Sequence, residues 1–329
     1  MTYSQADITV PYAVANFAEI RHKGYYYVDK TNYIPLLERY KAPVFLRPRR
    51  FGKSLLVSML AHYYDRNMAT QFEDLFGGTW IGEHPTNEHN QYLVVRYDFS
   101  TTSVASKKED IEKNFNAVNC SPLRTLVERN RDLFGDFRFR EDGNASNMLV
   151  EVCEFISSHN LPPLYILIDE YDNFTNQLLV VYKDSLYQDL TTGESFLRTF
   201  FKVIKAGIGE GTIRTCFCTG VLPVTMDDLT SGYNIAEMLT LKPEFTNLLG
   251  FTHEEAAQYL KYVINKYGPQ ASFEELWTLI LNNYDGYHFL PNAEPLFNST
   301  IQTYFLKNFA ELKGGIPTEM VDENLRTDT

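Results

Sequence analysis

A strand-to-helix turn, VFLRPRRFGKSLLVSML at residues 44–60, constrains the fold of this chain more than any other feature. The apolar run at residues 44–46 predicts a buried strand, and the apolar residues after Ser54 recur at helical spacing. Between them, Gly52-Lys53-Ser54 predicts a loop whose backbone N–H groups and helix N-terminus surround an anion. In such a loop the Lys53 ammonium reaches the β- and γ-phosphates of a nucleotide, and the Ser54 hydroxyl is a ligand of Mg²⁺.

The loop departs from the usual phosphate-binding pattern, which has another glycine five positions before Gly52, where this chain has Arg47. The triplet alone is weak evidence, because roughly one chain in six of this length contains one by chance. An arginine tolerates a positive φ poorly, whereas Pro48 fixes its own φ, so we expect a different path around the same anion. The residues predicted to contact the nucleotide are consecutive: Arg49, Arg50, Phe51, Gly52, Lys53, Ser54 and Leu55.

A second motif supplies the carboxylates that a bound metal requires. Residues 164–168 predict a strand buried on both faces, and Asp169 and Glu170 follow it directly. We expect Asp169 to lie near Mg²⁺ through water, and Glu170 to activate the attacking water as a general base. An isolated acid after an apolar run marks only the start of a solvated loop, but the upstream turn favours the metal site.

Further strands and helices alternate along the chain. Strands are predicted at 92–98 and 213–221, and helices at 111–128, at 148–159 and around Leu197, Phe200, Phe201 and Ile204, the last one ending at Gly207. This alternation predicts an α/β sandwich with a mostly parallel sheet, which is the architecture of phosphate-loop nucleoside triphosphatases.

Thr219 is a candidate sensor of the γ-phosphate. In additional-strand ATPases of the phosphate-loop class, a strand between the phosphate-loop strand and the Asp-Glu strand carries a polar residue at its tip. Thr219 occupies the matching place at the end of the strand predicted at 213–221. The alternative, to which we give equal weight, is a threonine in a turn before Gly220.

Five motifs in this order resemble a known family. They are Tyr26-Tyr27-Val28-Asp29-Lys30-Thr31, Arg47-Pro48-Arg49-Arg50-Phe51-Gly52-Lys53-Ser54, Asp169-Glu170-Tyr171-Asp172, Thr219-Gly220-Val221 and Leu249-Gly250-Phe251-Thr252. Together they resemble the bacterial AAA-ATPase-like family, whose members often carry a C-terminal PD-(D/E)XK nuclease-like domain. The resemblance runs from about residue 10 to the end and implies that an arginine-rich loop is the family's own form. Leu222 departs from it, because many relatives have a small polar residue there.

Composition and charge restrict the partners. The net charge of −12 and the isoelectric point near 5.1 argue against general affinity for nucleic acid, and no Asn-Lys-x-Asp motif indicates guanine, so ATP is favoured. No apolar run is long enough to span a bilayer, which predicts a cytoplasmic protein without membrane contacts. His84 and His89 flank an acidic loop that indicates a solvated turn rather than a metal site. The cysteines, which predict buried thiols in a reducing compartment and not a zinc site, are Cys120, Cys153, Cys216 and Cys218.

Two domains are expected. Residues 1–245 form the nucleoside-triphosphatase core, with a fifth strand at 239–241, and residues 246–329 form a mainly helical lid or winged-helix domain. In the second domain a capping box at Thr252 and Glu255 begins a helix, and Tyr287 and Phe289 are predicted core aromatics. The resemblance places a nuclease-like domain beyond this point, so we expect no nuclease activity from these residues.

The activity expected is Mg²⁺-dependent hydrolysis of ATP coupled to movement of the second domain, with Lys53 exposed in the empty loop. Relatives link it by analogy to DNA processing, mobile elements or defence. The competing class is a scaffold or regulatory module with little or no hydrolysis. Slow turnover is expected until a homo-oligomer or a protein partner contributes, since an added arginine raises such rates by roughly 10³ to 10⁵. Arg49 and Arg50 either reach a neighbour's site or pair with acids nearby.

Overall fold

A parallel sheet of five strands organises the computed structural model, which describes residues 9–102, 108–141, 143–173, 176, 195–222, 233–268, 271–284 and 286–321. The strands are β1 (Pro43–Leu46), β2 (Leu93–Asp98), β3 (Leu164–Asp169), β4 (Ile213–Gly220) and β5 (Glu237–Met238). Their spatial order is β2-β3-β4-β1-β5, and all neighbouring pairs are parallel. The predicted α/β class with a parallel sheet is confirmed.

The central strands are buried on both faces because helices cover both sides of the sheet. Every residue of β1 and β3 is buried, as their continuous apolar runs predicted. Strand β4 lies between β1 and β3, with Thr219 beside Phe45 and Phe217 beside Leu167. This is the strand order of the additional-strand ATPases, and it brings the ends of the three motif-bearing strands to one edge of the sheet.

Helices form a layer on each face of the sheet, and a third group follows in the chain. On one face lie α1 (Phe17–His22), α2 (Ile34–Leu37), α3 (Lys53–Tyr64), α4 (Phe72–Phe76) and α5 (Trp80–Glu83). On the other lie α6 (Lys108–Arg129), α7 (Arg131–Phe134), α8 (Ala145–His159) and α9 (Phe196–Glu210). The third group is α10 (His253–Tyr267), α11 (Phe273–Tyr284) and α12 (Ser299–Glu311).

The third group of helices has its own apolar core, to which the N-terminal segment (residues 9–28) also contributes. The Tyr26 ring stacks on that of Tyr259 with centroids 4.1 Å apart, and the Thr9 N–H donates to the Tyr267 hydroxyl at 2.7 Å. The predicted capping box at the start of α10 is present. We call residues 246–321 the C-terminal segment; the boundary predicted near residue 245 stays a prediction.

The predicted end of helix α9 is wrong. The helix continues through Gly207 to Glu210 and ends before Gly211, whose φ of +82° is the left-handed conformation that stops a helix. Gly207 has another role, because a Cβ at this position would lie 2.5 Å from Ile213 Cδ1. A glycine here lets the helix approach β4 closely.

The fifth strand begins earlier and is shorter than the predicted 239–241. The Leu239 N–H still donates to the Val44 carbonyl, but the Leu46 N–H donates to the Thr240 hydroxyl instead of a backbone oxygen. This side-chain acceptor ends the strand pairing. The cysteines, as predicted, are free and buried, and Cys216 Sγ and Cys218 Sγ lie 3.8 Å apart on one face of β4.

Two glycines of α9 offer a matched test of this packing. Gly207→Ala should lower the free energy of unfolding by about 1–3 kcal/mol, because its methyl group would overlap the buried Ile213 side chain. Gly209→Ala meets open space on the same helix and should raise it by about 0.5–1 kcal/mol. Urea denaturation measures both. Equal stabilisation by the two alanines would contradict the close approach of α9 to β4.

Candidate functional site

The loop between β1 and α3 turns at Arg50 and Gly52. Arg50 has a φ of +69° and Gly52 a φ of +92°, whereas Arg47 is not among the residues with positive φ. The turn therefore does not need a glycine at position 47, and the expected difference in path is explained. Helix α3 begins at Lys53, directly after this turn. Its first N–H groups, which have no partner within the helix, therefore face the turn.

Lys53 occupies the centre of the loop. Its Nζ donates to the carbonyl oxygens of Arg47 and Pro48, each at 3.2 Å, and lies 3.9 Å from Glu170 Oε1. Only 4% of Lys53 is exposed, so the expectation of an exposed lysine in the empty loop is wrong. Burial lowers the pKa of Lys53, and the neighbouring carboxylates of Glu170 and Asp169 oppose that shift. The inward-facing carbonyl groups satisfy the ammonium group and thereby keep it out of water.

Asp169 and Ser54, the two residues predicted to hold a metal, meet at the carboxyl end of β3 through a side-chain hydrogen bond, and the metal site itself stays a prediction. Asp169 is buried, and burial raises its pKa, while a hydrogen bond with Ser54 and the charge of Lys53 oppose the rise. Asp169 Oδ1 also accepts the N–H of Glu170 at 3.0 Å. A hydroxyl hydrogen-bonded to a carboxylate offers the oxygen ligands that Mg²⁺ prefers.

Glu170 has a strained backbone with a φ of +53°. Non-glycine residues in this region are uncommon and cluster at functional sites. Its carboxylate is partly exposed and accepts a hydrogen bond from Asn173 Nδ2 at 3.2 Å, while the other oxygen faces Lys53. Glu170 and Lys53 both line the cavity described below.

Thr219 lies at the tip of β4 and is fully buried. Because side chains alternate along a strand, Thr219 shares the face of Phe217, which packs on the α3 side of the sheet. Among the described residues its hydroxyl has no hydrogen-bond partner. An unsatisfied buried hydroxyl costs about 1–3 kcal/mol, and such groups in native proteins are completed by water or a ligand. This observation fits a site that takes a further polar group.

Arg47 is a structural residue. Its guanidinium lies between the rings of Phe45 and Phe289, 4.4 and 3.9 Å from their centroids, and donates to the carbonyl oxygens of Leu46 and Thr246, each at 3.0 Å. Burial lowers its pKa to about 10. The sequence analysis treated Arg47 as the residue in place of a glycine and as part of a basic cluster suited to a triphosphate, and gave it no role in packing. The available signal was an arginine one position after a buried strand that contains an aromatic residue.

The other loop side chains divide between the cavity and the C-terminal segment. Arg49 is exposed and close enough to lower the pKa of Lys53, and Arg50 and Leu55 are half-buried and line the cavity. Phe51 is buried, with its ring 4.9 Å from Tyr287 and 5.5 Å from Phe289. The two aromatics therefore pack against the loop, as predicted for core residues.

A cavity of about 320 Å³ opens beside Lys53 and Glu170. Its walls come from the start of α3, from residues 11–15 and 26–28 of the N-terminal segment, and from the C-terminal segment. The volume lies within the roughly 300–1,000 Å³ typical of small-molecule sites. Sequence reasoning missed the N-terminal wall, because no pattern in residues 11–15 indicates that they fold back onto α3.

Lys30, from the first resembling motif, joins the cavity wall to helix α10. Its Nζ contacts the Glu255 carboxylate at 2.6 Å and donates to the Asn247 carbonyl at 2.8 Å. Burial lowers the pKa of Lys30, and Glu255 opposes this shift. The ion pair fixes the chain just after the N-terminal segment against the C-terminal segment.

Asp172 holds the turn after β4. Its buried carboxylate accepts the N–H groups of Val221 at 3.0 Å and Leu222 at 2.7 Å. A Cβ at Gly220 would lie 2.4 Å from Asp172 Oδ1, so a glycine is required there. The Leu222 departure does not disturb this contact, because its backbone makes the bond and its side chain is exposed.

The two histidines of the acidic loop bond to backbone. His84 Nδ1 pairs with the Trp80 carbonyl at 2.9 Å, and His89 Nδ1 with the Thr86 carbonyl at 2.6 Å. Across the described ranges, no group of three or more His, Cys, Asp or Glu side chains could hold a metal ion. Nor does any described helix have the length and apolar character that crossing a bilayer requires.

The strand order and the loop-to-helix junction together define a phosphate-loop nucleoside-triphosphatase fold. The sequence model of the family described as predicted AAA-ATPase matches residues 11–230, and the chain belongs to this AAA-ATPase-like family. It is also 26% identical over 255 residues to a protein of Azotobacter chroococcum mcd 1 described as "Uncharacterized protein in vnfD 5'region". The match covers 75% of this chain and 43% of that protein, so the chain spans less than half of the relative's length.

Arg47→Lys tests the structural role of the buried guanidinium. A lysine cannot stack between Phe45 and Phe289 or donate in a planar fork, so the free energy of unfolding should fall by about 2–4 kcal/mol. Arg138→Lys, at an exposed position, should stay within about 0.5 kcal/mol of the parent. Denaturant titration measures both. An Arg47→Lys protein as stable as the parent would contradict the assignment.

Proposed function

We propose that the chain binds and hydrolyses Mg·ATP at the junction of β1, β3 and α3. The observation that supports this most strongly is the convergence of Lys53, Ser54, Asp169 and Glu170 at the carboxyl edge of the sheet. The four side chains come from two segments more than a hundred residues apart. Membership of a predicted ATPase family supports the same reaction.

Backbone N–H groups and Lys53 hold the phosphates in this proposal. Among the described residues, the N–H groups of Phe51 and Gly52 donate to no protein oxygen, and the first N–H groups of α3 have no partner within the helix. Phosphate oxygens replace the carbonyl groups of Arg47 and Pro48 as partners of the ammonium. Lys53 thereby gains charge-assisted hydrogen bonds, which are stronger than bonds to neutral carbonyls.

Ser54 and Asp169 are the residues that would hold Mg²⁺, with Asp169 acting through water. The buried carboxylate, the adjacent hydroxyl and the Thr219 hydroxyl, which has no partner in the part of the chain that the structure describes, suit a site that accepts a charged group. When bound, Mg²⁺ neutralises charge that develops on the transferring phosphoryl group. In this proposal Thr219 donates to the γ-phosphate.

Glu170 takes the proton of the attacking water. To do so, its carboxylate must move away from Lys53, because the phosphates compete with Glu170 for the ammonium group. Asn173 continues to donate to the other carboxylate oxygen and so orients it. The partial exposure of Glu170 toward the cavity gives water access. General base catalysis at this position accounts for roughly 10² to 10⁴ in rate.

The cavity beside the loop holds the base and ribose. Its mainly apolar walls, including Val14, Val28 and Leu249, suit the flat face of adenine, and no guanine motif is present. Since both end segments form the walls, ATP binding is coupled to movement of the C-terminal segment. The charge on the γ-phosphate is stabilised by Arg49, or by a group from a second copy or another protein. A role in DNA processing rests on analogy alone, because the chain has a net charge of −12.

Two substitutions separate binding from hydrolysis. Lys53→Ala should weaken Mg·ATP binding by about 100-fold or more, through loss of charge-assisted bonds, while the chain still unfolds cooperatively. Glu170→Gln should bind ATP within about threefold of the parent but release phosphate at least about 100-fold more slowly. Calorimetric titration and a phosphate-release assay measure these effects.

Omission of Mg²⁺ and a dilution series provide the controls. Undiminished ATP affinity in Lys53→Ala would overturn the loop assignment. Phosphate release that survives Glu170→Gln would overturn the role of this glutamate, and ATP binding without turnover in the parent would favour the scaffold class. Turnover per chain that stays constant on dilution of a proven monomer would show that one chain is sufficient.

A further inference from the structure

The C-terminal segment grips three consecutive carbonyl groups of the loop. Thr300 Oγ1 donates to the Arg50 carbonyl at 2.7 Å, and the Thr300 N–H and Ser299 Oγ reach the same oxygen at 3.3 Å. On either side, Asn298 Nδ2 donates to the Arg49 carbonyl and the Gly250 N–H donates to the Phe51 carbonyl, each at 3.3 Å. The backbone of the loop is thus bound from outside, residue by residue.

These contacts fix the direction of the loop's N–H groups. In a planar trans peptide the C=O of one residue and the N–H of the next point to opposite sides. The Arg49 and Arg50 carbonyl groups face the start of α12 and the Phe51 carbonyl faces Gly250, so the N–H groups of Arg50, Phe51 and Gly52 point away from these partners. By contrast, the carbonyl groups of Arg47 and Pro48 point inward to Lys53. The bonds from the C-terminal segment therefore begin at Arg49, directly after the last carbonyl group that points to Lys53.

The grip falls on the residue that most needs it. Arg50 adopts a left-handed conformation that a non-glycine residue avoids, and its carbonyl receives three donors. The Arg50 backbone therefore has partners that compensate for its unfavourable φ. The Arg47 guanidinium, stacked on Phe289, ties the beginning of the same loop to the C-terminal segment.

We propose that Ser299 and Thr300, helped by Asn298 and Gly250, are positioning residues that set the anion-binding N–H groups of the loop. The proposal rests on the proposed function, since it concerns affinity for the nucleotide's phosphates. Because binding free energies are reciprocal, phosphates that order the loop also strengthen its hold on the start of α12. Occupancy of the site therefore changes the strength of the contacts between the loop and the C-terminal segment.

Thr300→Val removes the shortest of these bonds at nearly constant volume. Its affinity for ATP and for inorganic tripolyphosphate should fall about 3- to 10-fold, as expected for the loss of one hydrogen bond. Ser299→Ala combined with Thr300→Val should weaken both ligands further. Thr300→Ser restores the hydroxyl and should return within about twofold of the parent. Asn298 is left intact because it caps α12.

Thr278→Val is the matched control. Thr278 also lies in a helix of the C-terminal segment and donates to a carbonyl of its own helix, Glu274 O, at 2.7 Å, away from the loop. Its affinity for both ligands should equal that of the parent. Affinities are measured by calorimetry well below the thermal midpoint of each variant, so that a stability effect alone cannot change them.

Each outcome decides the proposal. Parent binding with equal affinity in Thr300→Val would overturn the positioning role and leave the proposed function intact, even if the thermal midpoint falls. Failure of Thr300→Ser to restore affinity would also overturn it, since the hydroxyl is the group invoked. Failure of the parent to bind either ligand would instead overturn the proposed function, and the positioning role with it.

Discussion

The buried ammonium of Lys53 is the group around which the site is built. A charge this far from water must be satisfied by nearby dipoles and carboxylates, and here the Arg47 and Pro48 carbonyl groups and Glu170 do so. The contact between Lys53 and Glu170 also joins the loop after β1 to the end of β3, two strands that lie on either side of β4. In the proposed function, phosphates replace these carbonyl groups as partners of the ammonium.

Arg47 and the start of α12 take over part of the role that a glycine has in the usual loop. A glycine would permit an unusual backbone conformation, whereas this chain places the left-handed residues at Arg50 and Gly52 and secures the backbone from the C-terminal segment. The consequence is a loop that depends on contacts distant in sequence. In the proposed function, affinity for the nucleotide's phosphates and the docking of the C-terminal segment are therefore linked in a way that a self-supporting loop would not require.

Local patterns predicted most of the fold, because buried strands such as β3 and amphipathic helices such as α8 have clear periodicity. They also predicted that Ser54 and Asp169 lie near each other, since both were assigned to one metal site, and that metal site stays a prediction. They failed where the decisive contact is tertiary. Nothing local shows that Gly207 packs on Ile213. The predicted exposure of Lys53 was wrong for a different reason, because it overlooked acceptors within the lysine's own loop.

A crystal structure with Mg²⁺ and a non-hydrolysable ATP analogue would show directly whether the loop around Lys53 holds the phosphates. We expect phosphate oxygens within about 3 Å of the N–H groups of Gly52 and Ser54 and of Lys53 Nζ. We expect the metal about 2.1 Å from Ser54 Oγ and the base in the cavity beside Val28. Nucleotide bound elsewhere, with Lys53 still donating to the Arg47 and Pro48 carbonyl groups, would contradict the account.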